Sequence, residues 1–578
     1  MIIVGLAHIV FSAFLALLLG WLFGGLSGWL ALLCLSAGFG LAWWSRRFFQ
    51  TSTGPVLELG LGRLNPIEWV LVVLLVFIGL RHFAWLLYPV DATFRTLSTN
   101  NLGDLPLHIN YIRQFAFGAD MPPVNPEFAA EPLYYPYALD LYNGLWEAVG
   151  LPLSSHLFLV GIFLLVASLA ALRSWAGWLG IVGFFLNGGW AGWQILQTGL
   201  WQDYQGPLAW KNFLLALFVT QRGIMFAIPA GLTVLSILYK ACRDPAAVPR
   251  NLLLATGVLW GGLAFFHLHS FVAVSLMVAG YAALYRQFQP LLTALISAVP
   301  LGGGFVLYST ELLRKAGVMR LQWGWTAGEQ PLLAYWWQNL GPWLLLFGAT
   351  ILLLVWRRRW LQLAEFGFYA LLFLLFTWIM LAPWDWDNVK VLIWPYLGML
   401  AIAWRCLPPL SVSEPAAPRS RLQHWGLLLS SGMMALVLGF SGLVSVLSSL
   451  TPEQDSVEVY QTRELWNMEG ATLGLSPDAV FIAAPTYNHG LTWLGRIRVL
   501  GYEGHTWSHG IDSGEVAAKQ QRIFSGDADW RVLATEQGAT HIVWGPQEQL
   551  LYGTQVMPWR AQLANVSSVP GVEIYALD

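Results

Sequence analysis

A chain of 578 residues that is 57% hydrophobic and only 11% charged, with a mean hydropathy of +0.57, lies far from the roughly 25% charged residues of soluble domains. Much of its surface must face something other than water. A net charge of −2 excludes nucleic-acid binding through bulk charge. The three cysteines, Cys34, Cys242 and Cys406, are far apart and fall in or beside hydrophobic runs, so neither a disulfide framework nor a metal spacing fits them.

Hydrophobic runs able to cross ~30 Å of hydrocarbon are predicted at residues 3–22, 26–44, 67–87, 156–172, 175–196, 224–239, 252–266, 270–284, 291–307, 342–356, 366–381, 389–404 and 425–446, about thirteen spans. The first run lacks a basic flank and a second follows at once, so it reads as a retained span rather than a signal peptide. Arg46 and Arg47, Arg173, Lys240 with Arg243 and Arg250, Arg286, Arg357 to Arg359, and Arg405 with Arg419 and Arg421 all fall on one side of these spans. Basic connections mark the cytoplasmic face. The N-terminus is therefore expected inside a plasma (inner) membrane and the C-terminal tail outside it. The 33 tryptophans suit interfacial belts, and also sugar-stacking surfaces.

The connections on the other side are polar and aromatic. The loop 90–155 carries Asp91, Asp104, Asp120, Glu127, Glu131, Asp140 and Glu147 against Arg95 and Arg113. Lipid cannot satisfy such a segment, which must sit in water or line a protein cavity. Further polar stretches are 197–223, the HLHS turn at 267–270, the segment from Thr310, and PWDWDNVK at 383–390. A transporter would more often place polar groups near the bilayer midplane. From about Leu450 the composition becomes globular, with short strands predicted at 479–483, 540–544 and near the C-terminus and a helix at 527–537. The expected organisation is two N-terminal helices and a linker (1–66), a helical membrane domain (67–449) and a small α/β domain (450–578). The segment 485–512, rich in glycine, histidine and aromatics, either faces a ligand or the membrane-side cavity, or packs as a surface excursion against the outer loops.

Four groups of residues could carry chemistry. Asp104 sits at the start of a predicted helix, with His108 one turn on; it is either a catalytic carboxylate or a helix cap ahead of Pro106. Asp385, Asp387 and Lys390 stand at the mouth of a span, where Lys390 could meet a lipid phosphate or pair with Asp387. Arg222 heads another span and could bind phosphate bidentately or pair with a loop carboxylate. His267 and His269 could be metal ligands, although packing or hydrogen bonding accounts better for two histidines at this spacing. Arg81 must face protein or a cavity.

GDLPLHINYIRQFAFG, PPVNPEFAAEPLYYPYALD, TQRG at 220–223, FFHLHSF at 265–271, PWDWDNVKVLIWPY and the NHG…LGR…GY…WSHGID tail together resemble a group of prokaryotic multi-pass membrane proteins related to the GT-C glycosyltransferases. The resemblance runs from about Ile67 onward. It implies a polytopic inverting transferase using a polyprenyl-phosphate-linked sugar, with a glycan, lipid or protein as acceptor. In such enzymes an acid in the first large outer loop acts as base or positions acceptor or metal, and Asp104 matches it by position. The usual paired acidic motif is missing, and a divalent metal stays an open alternative. The competing classes are a lipid or solute carrier, which would show intramembrane charges and repeated halves, and a non-catalytic scaffold.

Overall fold

The computed structural model describes residues 1–51, 54–55, 57, 59–97, 99–316, 319–407, 421–451, 456–553 and 557–577. Each of the thirteen hydrophobic runs falls on helix. Among the described residues, nine helices are long and apolar enough to cross a membrane, or ten if the bent pair Leu332–Leu340 and Pro342–Trp356 is one span. Four runs account for the difference. Arg250–Phe266 and Trp360–Phe376 have 17 residues each, or ~26 Å at 1.5 Å per residue. Pro342–Trp356 qualifies only with its partner across a 104° bend.

The fourth difference is a reversal. The runs 156–172 and 175–196 meet in one hydrogen-bonded stretch, Leu153–Phe185, which is broken by Ala176 (φ −142°) and Gly177 (φ 55°). A Cβ on Gly180 would lie 2.6 Å from the Leu172 carbonyl oxygen. Eight residues of straight helix separate two positions by ~12 Å, so the chain must fold back here. Gly177 supplies the left-handed turn that other residues avoid.

Several spans run between the same two ends. Arg222–Arg243, Leu268–Tyr285 and Val389–Cys406 each start near a polar cavity described below. They finish at a buried clamp around Glu365. That carboxylate accepts from Tyr239 Oη at 3.1 Å and from Tyr285 Oη, and lies 3.5 Å from Arg405. Arg405 also donates to Tyr239 Oη at 2.6 Å. At the corresponding end of Pro66–Ala84, Asn65 and Glu68 form a reciprocal cap, and Glu68 takes Arg173 Nε at 3.0 Å. The basic connections thus gather at the end away from the cavity; Arg419 lies outside the described residues. Arg81, expected to face protein or a cavity, stacks over Trp85 with its guanidinium carbon 3.0 Å from the ring centroid.

The opposite end carries the long loop, which holds two helices, Asp104–Ala116 and Ala138–Ala148. The hairpin of Tyr88–Val90 and Thr93–Thr96 is extended to three strands by Val457–Gln461 from the tail, antiparallel with Thr93 opposite Gln461. The tail also has a four-stranded sheet in the order Glu573–Ala576, His541–Trp544, Val480–Ile482, Ile497–Arg498. The last three strands in this order are parallel, and Glu573–Ala576 pairs antiparallel with His541–Trp544. Ile482, Phe524, Trp530, Trp544 and Trp559 pack as a core of its own.

Ser525, in the tail, and Ala246, in a turn at the basic end, are both exposed, and the native cysteines are buried. Cysteines introduced at Ser525 and Ala246 are expected to react with a membrane-impermeant maleimide from opposite faces of sealed vesicles. Labelling of both from one face would contradict the path of the spans.

Candidate functional site

A cavity of about 720 Å³ opens at the loop end of the bundle. Five polar stretches of chain reach it, together with Ser309. The long loop contributes Asp104 and Tyr135; the 206–211 stretch, Lys211; the HLHS turn, His267 and His269; the 381–390 stretch, Asp387 and Lys390; and the tail, His505 and His509.

Asp104 is the first residue of its helix. Gly103 is the N-cap, and no side chain caps this end. The capping alternative for Asp104 is therefore corrected: its carboxylate serves no backbone amide, and it makes no hydrogen bond or ion pair among the described residues. Burial pushes this carboxyl above the ordinary carboxylate range. Asp387 adds to the rise, while His108, Lys390 and His505 oppose it. These five groups share one electrostatic neighbourhood despite a sequence separation of some 400 positions.

Lys390 lies 2.7 Å from Asp387, one helical turn back. The pairing alternative is realised, yet both side chains line the cavity. Lys211 also lines it and makes no ion pair among the described residues. His267 caps the Leu268–Tyr285 helix, accepting from the Ser270 amide at 3.3 Å and meeting Ser270 Oγ at 2.7 Å. Its ring centroid is 5.8 Å from that of His269. His509 stacks against Tyr135 at 4.8 Å, and burial lowers its pKa to about 3, with His505 adding to the effect. His509 is neutral at physiological pH.

Three expected site residues do not line the cavity. His108 turns away, with Nδ1 3.0 Å from Asp140. Asp385 is half exposed and faces Arg320 at 3.7 Å; it lies two residues before Asp387 on a tight helical turn that points the two carboxylates apart. Arg222 is fully buried, and none of its guanidinium nitrogens finds a hydrogen-bond partner among the described residues. Its neighbour Gln221 faces the cavity instead. One helical position rotates a side chain by ~100°, which directs Arg222 toward Asp140. Around it lies a dense polar layer in which Glu147 meets Arg113 at 3.2 Å and His156 at 3.7 Å. Arg222 and Lys390 therefore do not meet at one cavity.

The residues present do not fit a divalent metal. Among the described residues no three His, Cys, Asp or Glu side chains are arranged to hold one. Asp387 is bonded to an ammonium, and the other charges beside Asp104 include cations.

The residues that fasten the tail over the cavity were not singled out in the sequence. Arg498 Nη2 donates to both oxygens of Glu127, at 2.8 and 2.9 Å. Asn110 Nδ2 donates to the same carboxylate at 2.6 Å and the Tyr502 amide at 3.0 Å. Both charged partners are buried. Burial alone would raise the Glu127 pKa, but Arg498 and His505 hold it well below the carboxylate range. The loop backbone completes the joint: Arg498 N donates to Pro126 O, Ala129 N to Arg498 O and Gly501 N to Glu127 O. A Cβ on Gly501 would collide with the Glu127 carboxylate. Of these residues, the histidine-rich 485–512 segment was the visible signal, and both readings of it hold: it packs on the loop and it lines the cavity.

A solved structure similar to this chain is the archaeal oligosaccharyltransferase AglB from Archaeoglobus fulgidus in complex with an inhibitory peptide and a dolichol-phosphate. The match has 12% identity and a TM-score of 0.38, and covers 82% of this chain and 69% of that one. No family model and no curated protein matches the chain.

Arg498→Ala leaves a buried carboxylate uncompensated and is expected to cost ~3–5 kcal/mol of tail docking, read as faster proteolysis of the tail in the otherwise folded protein. Glu127 has a depressed pKa in the folded chain, so its contribution is present above the ordinary carboxylate range and is lost as pH falls below it. Acid should therefore loosen the wild-type tail and change the Glu127→Gln variant less. Proteolysis that ignores both pH and Arg498→Ala would remove this pair from its role.

Proposed function

We propose that the chain is a GT-C-type glycosyltransferase that moves a sugar from a polyprenyl-phosphate-linked donor to an acceptor hydroxyl at the outer face of the plasma membrane. In this reading the N-terminus is cytoplasmic, residues 67–449 form the transferase body, with about thirteen membrane passes in the whole chain, and residues 450–578 form an extracytoplasmic domain. A glycan, lipid or protein could carry the acceptor hydroxyl. The observation that supports the reading best is the Asp104 carboxylate. It makes no hydrogen bond among the described residues, is held above its ordinary pKa, and stands in a cavity with cations where membrane helices end.

The acceptor oxygen attacks the anomeric carbon on the face opposite the phosphate, and its proton passes to Asp104. The bond from the anomeric carbon to the phosphate oxygen breaks, its electron pair stays on the phosphate, and polyprenyl phosphate leaves with the sugar configuration inverted. A buried, raised-pKa carboxylate is a stronger base than a solvated one, and a positioned base contributes ~10²–10⁴-fold. Lys390 is already neutralised by Asp387 at 2.7 Å. Lys211 has no carboxylate of its own and is the cation better placed to meet the phosphate, because an ammonium acts as a point charge for such groups. The cavity's aromatic residues, among them Tyr134, Tyr135, Trp384 and Trp507, offer faces for sugar rings.

Asp104→Asn is expected to reduce transfer by ~10²–10⁴-fold, assayed against a panel of polyprenyl-phosphate monosaccharides. Its stability should match or exceed wild type. A raised carboxyl pKa means that the folded chain binds the proton more tightly, so this group's contribution falls as pH rises through the shifted range; the amide removes that loss. Asp104→Ala should be equally inactive without a capping penalty, because Gly103 holds the cap position. Wild-type turnover in the Asn variant would rule Asp104 out as base. Exchange of the lipid-linked sugar between leaflets of a proteoliposome, with no transfer, would favour a carrier instead.

A further inference from the structure

We propose that Asn339 is a positioning residue for Lys211: by holding the backbone just before it, Asn339 sets the Lys211 ammonium where the phosphate of a lipid is received. This rests on the reading of Lys211 as the cation that meets the donor phosphate. Between Ile195–Thr198 and Leu214–Phe218 the chain forms neither helix nor strand, yet its 206–211 stretch lines the cavity where membrane helices end. Irregular backbone is tolerated at such a place only if other groups satisfy its amides and carbonyls. Three buried carboxamides do so, Asn187, Gln205 and Asn339. Asn339 Oδ1 accepts from the amides of Ala209 at 3.1 Å and Trp210 at 2.9 Å. Asn187 Nδ2 donates to the Lys211 carbonyl oxygen at 2.8 Å, and its Oδ1 accepts from the Phe213 amide at 2.8 Å. The Asn212 amide donates to Gln205 Oε1, and Trp386 Nε1 donates to Ala209 O at 3.0 Å. The backbone is thus fixed on both sides of Lys211, whose own side chain makes no ion pair among the described residues.

The element that carries Asn339 ties this stretch to the membrane surface. Helix Leu332–Leu340 meets Pro342–Trp356 at a 104° bend, so where the second crosses the bilayer the first runs along its surface. The inner face of Leu332–Leu340 holds Tyr335, Trp336 and Asn339, whereas Leu333 and Trp337, one turn apart, are exposed. An exposed apolar face on a helix in the membrane plane seats at the boundary of headgroups and acyl chains, the level at which a lipid carries its phosphate. Asn339 therefore links that level to the backbone beside Lys211. Of the cavity's other charges, Lys390 is paired with Asp387 at 2.7 Å and His505 faces Glu127 at 3.5 Å, while Asp104 repels an anion. Lys211 is the cation left for a phosphate, and the in-plane helix favours one borne by a lipid over free phosphate.

The test measures binding of polyprenyl monophosphate, of the same polyprenol without phosphate and of inorganic phosphate to the full-length protein in detergent micelles. Lys211→Ala should weaken polyprenyl monophosphate about ten- to hundredfold, the range for one hydrogen bond to a charged group, and leave the polyprenol unchanged. Asn339→Ala should weaken the phosphate in the wild-type background and add nothing in the Lys211→Ala background, because a positioning residue acts only through the group it positions. Equal losses in both backgrounds, or phosphate binding that ignores Lys211→Ala, would overturn the proposal. Inorganic phosphate displacing the lipid at equal concentration would overturn the lipid source. A second measurement needs no Asn339 variant. If the Asn339 bonds favour binding, binding must strengthen them by the same factor, so hydrogen exchange of residues 206–213 should slow on adding polyprenyl monophosphate to wild type and stay unchanged in Lys211→Ala. Exchange that the lipid does not alter in wild type would also overturn the proposal. The expected pattern in a protein that transfers no sugar would count against the transferase reading alone.

Discussion

The buried Glu127–Arg498 pair is the constraint on which the polar end of the molecule depends. A carboxylate from the first long loop and a guanidinium from the edge strand Ile497–Arg498 meet with both groups removed from water. Such a pair is costly unless its remaining hydrogen-bonding capacity is filled, and here Asn110 and the Tyr502 amide fill it. The neighbouring backbone bonds cover the open edge of the tail's sheet with residues 126–129, as an exposed edge requires. Since residues 502–509 follow directly in the chain, fixing Arg498 also fixes the histidines that line the cavity. This joint holds in place the tail residues that form one wall of the cavity.

Two neighbouring polar regions differ in how their charges are resolved. In the layer behind the cavity, Glu147, Arg113, His156, Asp140 and His108 compensate one another at 3.0–3.7 Å, and Arg222 adds a buried guanidinium facing Asp140. That layer ties Ala138–Ala148 to the Asp104–Ala116 helix and to the membrane helices. In the cavity, charges face open space. Lys390 and Asp387 neutralise each other, Lys211 has no carboxylate partner among the described residues, and Asp104 is left beside His505. Side chains one or two positions apart in sequence, Gln221 and Arg222 or Asp385 and Asp387, fall into different environments through helical rotation alone.

This explains what could be read from the sequence. The hydrophobic runs announced nearly every membrane helix, because burial in lipid imposes composition over some twenty consecutive residues. Their count was less legible, since a reversal at Ala176–Gly177 and a bend at Gly341 are single-residue events. Asp104, Asp387, Lys390, His267 and His269 were visible as polar residues where apolar ones were expected, and they do line the cavity. Arg222 was visible for the same reason, but its direction depends on one step of helical phase. Glu127 and Arg498 were hidden: each is an ordinary charged residue in a polar stretch, and only their meeting across 371 positions gives either a role. Lys211 was hidden likewise.

Asp104, half-buried where it lines the cavity, differs in its partners from several fully buried carboxylates. Glu127 is held by an arginine, an amide side chain and a backbone amide. Glu365 is held by two tyrosines and an arginine. Glu548 accepts from the amides of Ala484 and Gly545 and meets His489 at 3.0 Å. Each of these satisfies the rule that a buried charge is paired and hydrogen-bonded, and each joins distant parts of the chain. Among the described residues Asp104 has no such partner and caps no helix, and its surroundings raise its pKa. A folded chain tolerates such a cost where an unfilled acceptor has a use. A carboxylate held above its ordinary pKa, with cations beside it that limit the rise, has the character that the proposed role of base asks for.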